Sequence, residues 1–299
     1  MLLEPRFVKL STRTGIEVRR TLPNAKKRMI GAWAFVDHFG PTTQTDGMVV
    51  AAHPHTGLQT ATWLFEGRIE HRDSIGTAQF VEPGQLNLMT AGRGIAHSEL
   101  SQADSASLHA VQLWIALPDS VRKMAPEFEQ QTDLPRVSIG GISGTVFVGA
   151  MHGQPEARAQ TKIYSPMVGA ELRIPAGEFD VIELDPKFEH GFLVAIGSVQ
   201  VAGLEVPMNS MEYFEPGTTS VTIKNTGDEE ATVILLGGEP FEEPIVMWWN
   251  FIERTHDEIV AVREKWNNRD ASIPGFVDHI GGWIPAPELP NLILRARNN

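Results

Sequence analysis

Two successive all-β barrels followed by one helix are the fold this sequence predicts. Three observations carry the expectation. Short β-rich runs alternate with turn signals along most of the chain, a strand–Gly–strand pattern in the first half recurs in the second, and one late segment has helical periodicity.

The β-rich runs are Thr60–Phe65, Thr77–Val81, Leu86–Thr90, Ala110–Leu117, Thr145–Val148, Phe192–Ile196, Ser198–Val201, Thr219–Ile223 and Thr232–Leu236. They are separated by Glu66-Gly67, Pro83-Gly84, Gly92-Arg93-Gly94, Pro175-Ala176-Gly177, Ile196-Gly197 and Pro216-Gly217. Many short strands with regular turns mark a sandwich or barrel. The repeat pairs Leu64–Glu70, then Glu82-Pro83-Gly84, with Leu193–Gln200, then Glu215-Pro216-Gly217. Duplication of one barrel accounts for that pattern. The polar, Pro-containing stretch Gln130–Pro135 is the natural junction, dividing the chain into residues 1–134 and 135–299. Between Phe251 and Trp266, the apolar Ile252, Ile259, Val262 and Trp266 share one face, and Asn267-Asn268 offers a stop. The Pro- and Gly-rich tail Ser272–Pro290 should be extended, with Phe276, Trp283 and Ile284 packing it onto the body.

Composition narrows the function. The chain has 299 residues, 42% hydrophobic and 21% charged, as soluble globular proteins do. It has no cysteine, so disulfides, thiolate metal sites and thiol nucleophiles are excluded. The N-terminal MLLEPRFVKL lacks an apolar core and does not read as a secretory signal. No run approaches the roughly 20 apolar residues of a membrane helix, so a cytoplasmic location is expected. A net charge of -12 disfavours direct nucleic-acid binding, which depends on neutralising phosphates. The short basic clusters Arg19-Arg20 and Lys26-Lys27-Arg28 read as solvated hairpin edges.

The chemistry-bearing segment is Ala52-His53-Pro54-His55-Thr56-Gly57. Side chains alternate along a strand, so His53 and His55 point the same way. His97 and Glu99 have the same one-residue gap and follow the Gly92-Arg93-Gly94 turn. Two strands, each giving two donors to one face, would cage one cation. Three imidazoles and a carboxylate suit Fe, Mn, Ni, Cu, Co or Zn better than Mg or Ca. Four protein donors leave coordination positions for a substrate. The remaining histidines are read more plainly. His71, among Glu70, Arg72, Asp73 and Ser74, is read as part of a charged turn. His38 and His109 could orient a ligand but are read as structural, as are His152, His190, His256 and His279. Trp248-Trp249 is read as a packing anchor. The second half lacks a matching donor set and is expected to be metal-free.

These motifs resemble the pirin family of the cupin superfamily. The resemblance rests on His53-Pro54-His55-Thr56-Gly57, Phe65-Glu66-Gly67, Glu70-His71-Arg72-Asp73-Ser74, Pro83-Gly84 and Met89–Glu99. It also takes in Val36–Pro41 and Val111–Pro118, so it runs from about Ala32 to Leu117. It implies two tandem jelly-roll cupin barrels and one non-haem Fe(II) in the first, held by His53, His55, His97 and Glu99. Thr56 and Gln59 stand where many members carry Arg and Glu, which bears on the pocket rather than on the ligands. The resemblance further implies an O2-dependent dioxygenase acting on quercetin or a related flavonol or phenol, with Glu99 as catalytic base. Its alternatives are a redox-dependent protein-interaction or co-regulator role, and an O2-independent isomerase or lyase.

Overall fold

The computed structural model of this chain describes residues 1–9, 17–42, 48–101, 107–270, 273 and 282–297. The chain forms two β-barrels built on one plan. In the first, the strands are β1 (Trp33–Thr42), β2 (Val49–His55), β3 (Leu58–Glu66), β4 (Ile69–Asp73), β5 (Ala78–Val81), β6 (Leu86–Thr90), β7 (Ile95–Ser101) and β8 (Leu108–Ala116). In the second they are β9 (Met167–Ile174), β10 (Phe179–Glu183), β11 (Glu189–Ile196), β12 (Val199–Val201), β13 (Leu204–Val206), β14 (Met211–Phe214), β15 (Ser220–Asn225) and β16 (Ala231–Gly238).

The duplication is visible strand by strand. The first barrel has one sheet with the order β2-β7-β4-β5 and another containing β6-β3-β8-β1. The second has β10-β15-β12-β13 and β14-β11-β16-β9, the same orders shifted by eight strands. The turns at Gly67 (φ 92°) and Gly197 (φ 85°) are true equivalents, each carrying the chain from the larger sheet to the smaller. The Glu-Pro-Gly markers are not. Glu82-Pro83-Gly84 joins β5 to β6, whereas Glu215-Pro216-Gly217 joins β14 to β15. The topological partner of the latter is the Gly92-Arg93-Gly94 turn before His97.

The compact units depart from the linear division at residues 134 and 135. One comprises Met1–Phe7, Arg19–His38 and Gln131–Phe241, and the other Val8–Val18, Phe39–Gln130 and Glu242–Asn299. The C-terminal segment therefore belongs with the first barrel, for a reason found in the small sheets. In β15, burial alternates strictly: Val221, Ile223 and Asn225 point inward, and Ser220, Thr222 and Lys224 face water. In β7 the six residues from Ile95 to Leu100 are all buried. The outward-facing Ala96 of β7 is covered by Phe251, Ile259, Val262, Trp266 and Ile273. That apolar cover ties residues after 242 to the metal-site sheet.

The helix, α1, runs His256–Asn267, later than the predicted start at Phe251. Residues Phe251–Glu253 instead pair with Val246–Trp248 in a hairpin. A capping box between Thr255 and Glu258 satisfies orphan amides and sets the start, while Asn268 caps the end. Trp248 and Trp249 pack on the α1 cluster, as do Trp283, Leu289 and Leu294 of the tail. Phe276 and His279 lie outside the described residues. Among the described residues, no helix is long and apolar enough to cross a membrane.

Candidate metal centre

His53 and His55 end β2, and His97 lies on the neighbouring β7, directly opposite His53. The Thr56-Gly57 turn then leads into β3. The three rings converge: centroids are 5.0 Å apart for His53–His55, 4.4 Å for His53–His97 and 5.0 Å for His55–His97. One donor nitrogen from each lies within 4.8 Å of the other two. Among the described residues this is the one grouping of at least three metal-binding side chains so placed. All three are buried.

Each imidazole has a partner at Nδ1, which turns Nε2 toward the common centre. His53 Nδ1 lies 2.9 Å from the Ala51 carbonyl. A local irregularity of β2 supplies that carbonyl. His97 pairs with His53 but Glu99 pairs with Val50, so β2 carries an extra residue between them. The bulge also frees Ala52 to pair with the tail: Ala52 N–H donates to Gly282 O at 3.1 Å, and Ile284 N–H to Ala52 O at 2.8 Å. His55 Nδ1 lies 3.2 Å from the carbonyl of Asn250, in the hairpin turn where Trp249 has a φ of 52°. His97 Nδ1 lies 3.3 Å from His71 Nδ1. Trp114 meets the His55 ring edge-on at 5.1 Å.

This donor set fits a divalent transition metal. His55 Nε2 and His97 Nε2 are 3.1 Å apart. With Nδ1–H donated to the Asn250 carbonyl, His55 presents a lone pair at Nε2. Two ligands at about 2.0–2.1 Å from one ion stand roughly 2.9–3.4 Å apart in octahedral or tetrahedral geometry. Burial first, then the neighbouring His53, hold the His55 pKa well below that of free histidine, so the ring is neutral.

Glu99 is placed differently. It is buried on β7 opposite His71, and its carboxylate is not among the mutually close donors. Burial pushes its pKa up to about 7, with a hydrogen bond to Thr62 opposing the rise. Thr62 Oγ1 also lies 2.9 Å from Gln112 Oε1.

His71 pairs with a neighbouring carboxylate as its charged surroundings suggest, but it lies in a strand rather than a turn. It is buried in β4, with Phe128 stacked on its ring at 4.7 Å. Its Nε2 lies 3.1 Å from Asp73 Oδ2. Burial would raise the Asp73 carboxyl, but hydrogen bonds from His71 and the Thr77 amide outweigh it and hold the pKa below normal. The available signal was the His71-x-Asp73 gap, the same spacing as the two recognised pairs. His38 pairs across the strand with Arg19, and His109 packs on Phe65 at 4.8 Å. In the second barrel, β10 and β15 correspond to β2 and β7. Their buried residues are Ile182, Val221, Ile223 and Asn225, aliphatic apart from one amide.

The chain is similar to known proteins over most of its length. The Pirin family model matches residues 15–115, and the Pirin C-terminal cupin domain matches residues 169–271. A Pseudomonas aeruginosa protein, provisionally named a quercetin 2,3-dioxygenase, is 42% identical over 279 residues, covering 92% of this chain and 87% of its own length. A pirin-like protein of Caulobacter vibrioides is 36% identical over 282 residues, covering 91% and 94%. The crystal structure of a quercetin 2,3-dioxygenase from Acinetobacter baumannii superposes with a TM-score of 0.93 at 41% identity, covering 99% of this chain and 97% of that one.

Proposed function

This chain belongs to the pirin family, and on that footing we propose that it is a metal-dependent dioxygenase cleaving quercetin or a related flavonol or phenol. The single observation that supports the reading is the buried convergence of His53, His55 and His97. Fe(II) is the proposed ion, with Mn, Ni, Cu, Co or Zn as substitutes in the same donor set. Glu99 is the proposed fourth ligand, reached by a change of side-chain rotamer away from Thr62.

When bound, the metal would supply Lewis acidity toward a substrate hydroxyl and a redox centre for O2. The protein's part follows from its side chains. The three imidazoles would hold the ion and leave coordination positions for small ligands. The Glu99 carboxylate would accept the proton of the incoming flavonol hydroxyl. A cation beside Glu99 lowers its pKa, so it ionises when the site is loaded. The partners are thus a small aromatic substrate and O2. The acidic surface favours a protein over nucleic acid for any macromolecular contact.

The test is aerobic incubation of iron-loaded protein with quercetin. Oxygen uptake, substrate loss and carbon monoxide release above an apoprotein control are expected. Absence of all three, with iron bound, would sink the enzymatic reading and favour an interaction role.

A further inference from the structure

We propose that Asp73 and His71 are positioning residues that fix the tautomer of His97 and strengthen it as a metal donor. This inference rests on the metal reading of the site.

The geometry permits one arrangement of protons among neutral rings. Asp73 Oδ1 accepts backbone N–H bonds from Ile75 at 3.0 Å and Thr77 at 2.9 Å, so the carboxylate is clamped in its turn. Oδ2, 3.1 Å from His71, is acceptor-only, so His71 Nε2 must carry the hydrogen. His71 Nδ1 is then an acceptor. His97 Nδ1, 3.3 Å away, must donate to it, and His97 Nε2 is left with its lone pair facing His55. Three further facts hold the chain in place. The Asp73 side chain is fully buried and that of His71 is 5% exposed. Phe128 covers the His71 ring. Antiparallel pairing sets Asp73 opposite His97. His53 and His55 end on neutral backbone carbonyls, whereas His97 reaches a full negative charge through one intervening ring. That makes His97 the most electron-rich of the three donors, and outer partners of this kind commonly govern metal affinity.

Asp73→Asn gives a specific consequence. The Ile75 and Thr77 amides require an oxygen at the Oδ1 position, which forces the new NH2 group toward His71 Nε2. His71 must then accept there and carry its hydrogen on Nδ1. His97 Nδ1 becomes an acceptor, its hydrogen moves to Nε2, and that atom must shed the hydrogen before it can bind a metal.

Long-range 15N–1H NMR of the full-length apoprotein, labelled in histidine, reads the tautomer directly, with His97→Gln to assign the signal. Co(II) competition titration reads affinity. Wild-type His97 is expected as the Nδ1–H form, and Asp73→Asn as the Nε2–H form with Co(II) binding weakened about 10–100-fold. His71→Phe keeps the ring stack, removes the acceptor and should also weaken Co(II) binding about tenfold or more. The midpoint potential of bound iron should rise in His71→Phe, which a purely structural role would not cause. An Nε2–H His97 in the wild type overturns the proposal. So does Co(II) affinity within threefold of wild type in both variants. Should Asp73→Asn fail to fold, the wild-type tautomer and His71→Phe decide. A wild type with the Nδ1–H tautomer that binds no Co(II) would instead overturn the metal reading.

Discussion

Arg122→Met should destabilise the metal-site barrel through a carboxylate far from any ligand in sequence. Glu253 is 1% exposed, and its Oε2 accepts from Arg122 Nη1 at 2.7 Å and Lys123 Nζ at 2.6 Å. Arg122 also reaches Glu258 at 2.8 Å and Asp119 at 2.6 Å. Stranding one member of a buried pair costs about 3–5 kcal/mol, because the other is left desolvated and uncompensated. Lys123 remains on Glu253 but is half exposed, so the lower end, about 3 kcal/mol, applies here. At about 2–4 °C per kcal/mol, the unfolding midpoint should fall by roughly 6–12 °C. The Arg122→Met/Glu253→Met double variant should recover at least half of that loss, since apolar replacement of a whole buried pair is often close to neutral. Thermal unfolding of the four proteins in this cycle, followed by circular dichroism, makes the comparison. A single-variant shift below 2 °C, or additive losses in the double variant, would refute the argument. Metal affinity should fall with stability, because Glu253 lies three residues beyond Asn250, whose carbonyl holds His55.

Four further outcomes are expected. Gly57→Ala should cost more than about 2 kcal/mol and weaken metal uptake; Gly57 has a φ of 68°, and an added Cβ would lie 1.9 Å from the Ile252 carbonyl oxygen. Denaturant titration with and without Co(II) measures both effects. Burial lowers the His190 pKa to about 4, so the unfolded chain binds its proton first as acid is added. Its share of stability is present above about pH 6.5 and drains away toward pH 4, by up to about 3 kcal/mol; urea unfolding of wild type and His190→Gln at pH 7 and pH 4.5 should show a smaller acid loss in the variant. Phe147→Ala should cost about 3–5 kcal/mol without changing metal stoichiometry, since this fully buried ring packs edge-on against Trp33 at 6.5 Å within the compact unit that holds residues 131–241. Adding Co(II) at about 100 times its dissociation constant should stabilise the first barrel by about 2.7 kcal/mol, an increment abolished in His55→Ala.

Local patterns in the sequence disclosed the parts of the site that obey strand alternation. His53 and His55 were legible because imidazoles separated by one residue on a strand share a side, and His97 because the same gap separates it from Glu99. The proximity of His71 was not, because Glu70, Arg72, Asp73 and Ser74 around it read as a charged turn, and only the pairing of β4 with β7 sets it beside His97. The Asn250 carbonyl had no signal at all: it is backbone, 195 residues from its imidazole. The duplicated barrel was legible in its strand–Gly–strand units. The Glu-Pro-Gly markers misaligned because similar turn chemistry serves different corners. Phe251 and Ile252 fit a helix face as well as a strand, and the capping box at Thr255 decides between them. The grouping of residues 242–299 with the first barrel depends on which sheet needs an apolar cover, and linear order does not encode that.

The hairpin carbonyl that steadies His55 and the tail strand that pairs with Ala52 both arrive late in translation. A nascent chain that has emerged only through β8 already exposes all three imidazoles, yet lacks the backbone that orients one of them and the cover above the sheet. Orientation of the His55 ring therefore belongs to the completed polypeptide, and trimming the chain back to β8 would leave that imidazole without the carbonyl that holds it.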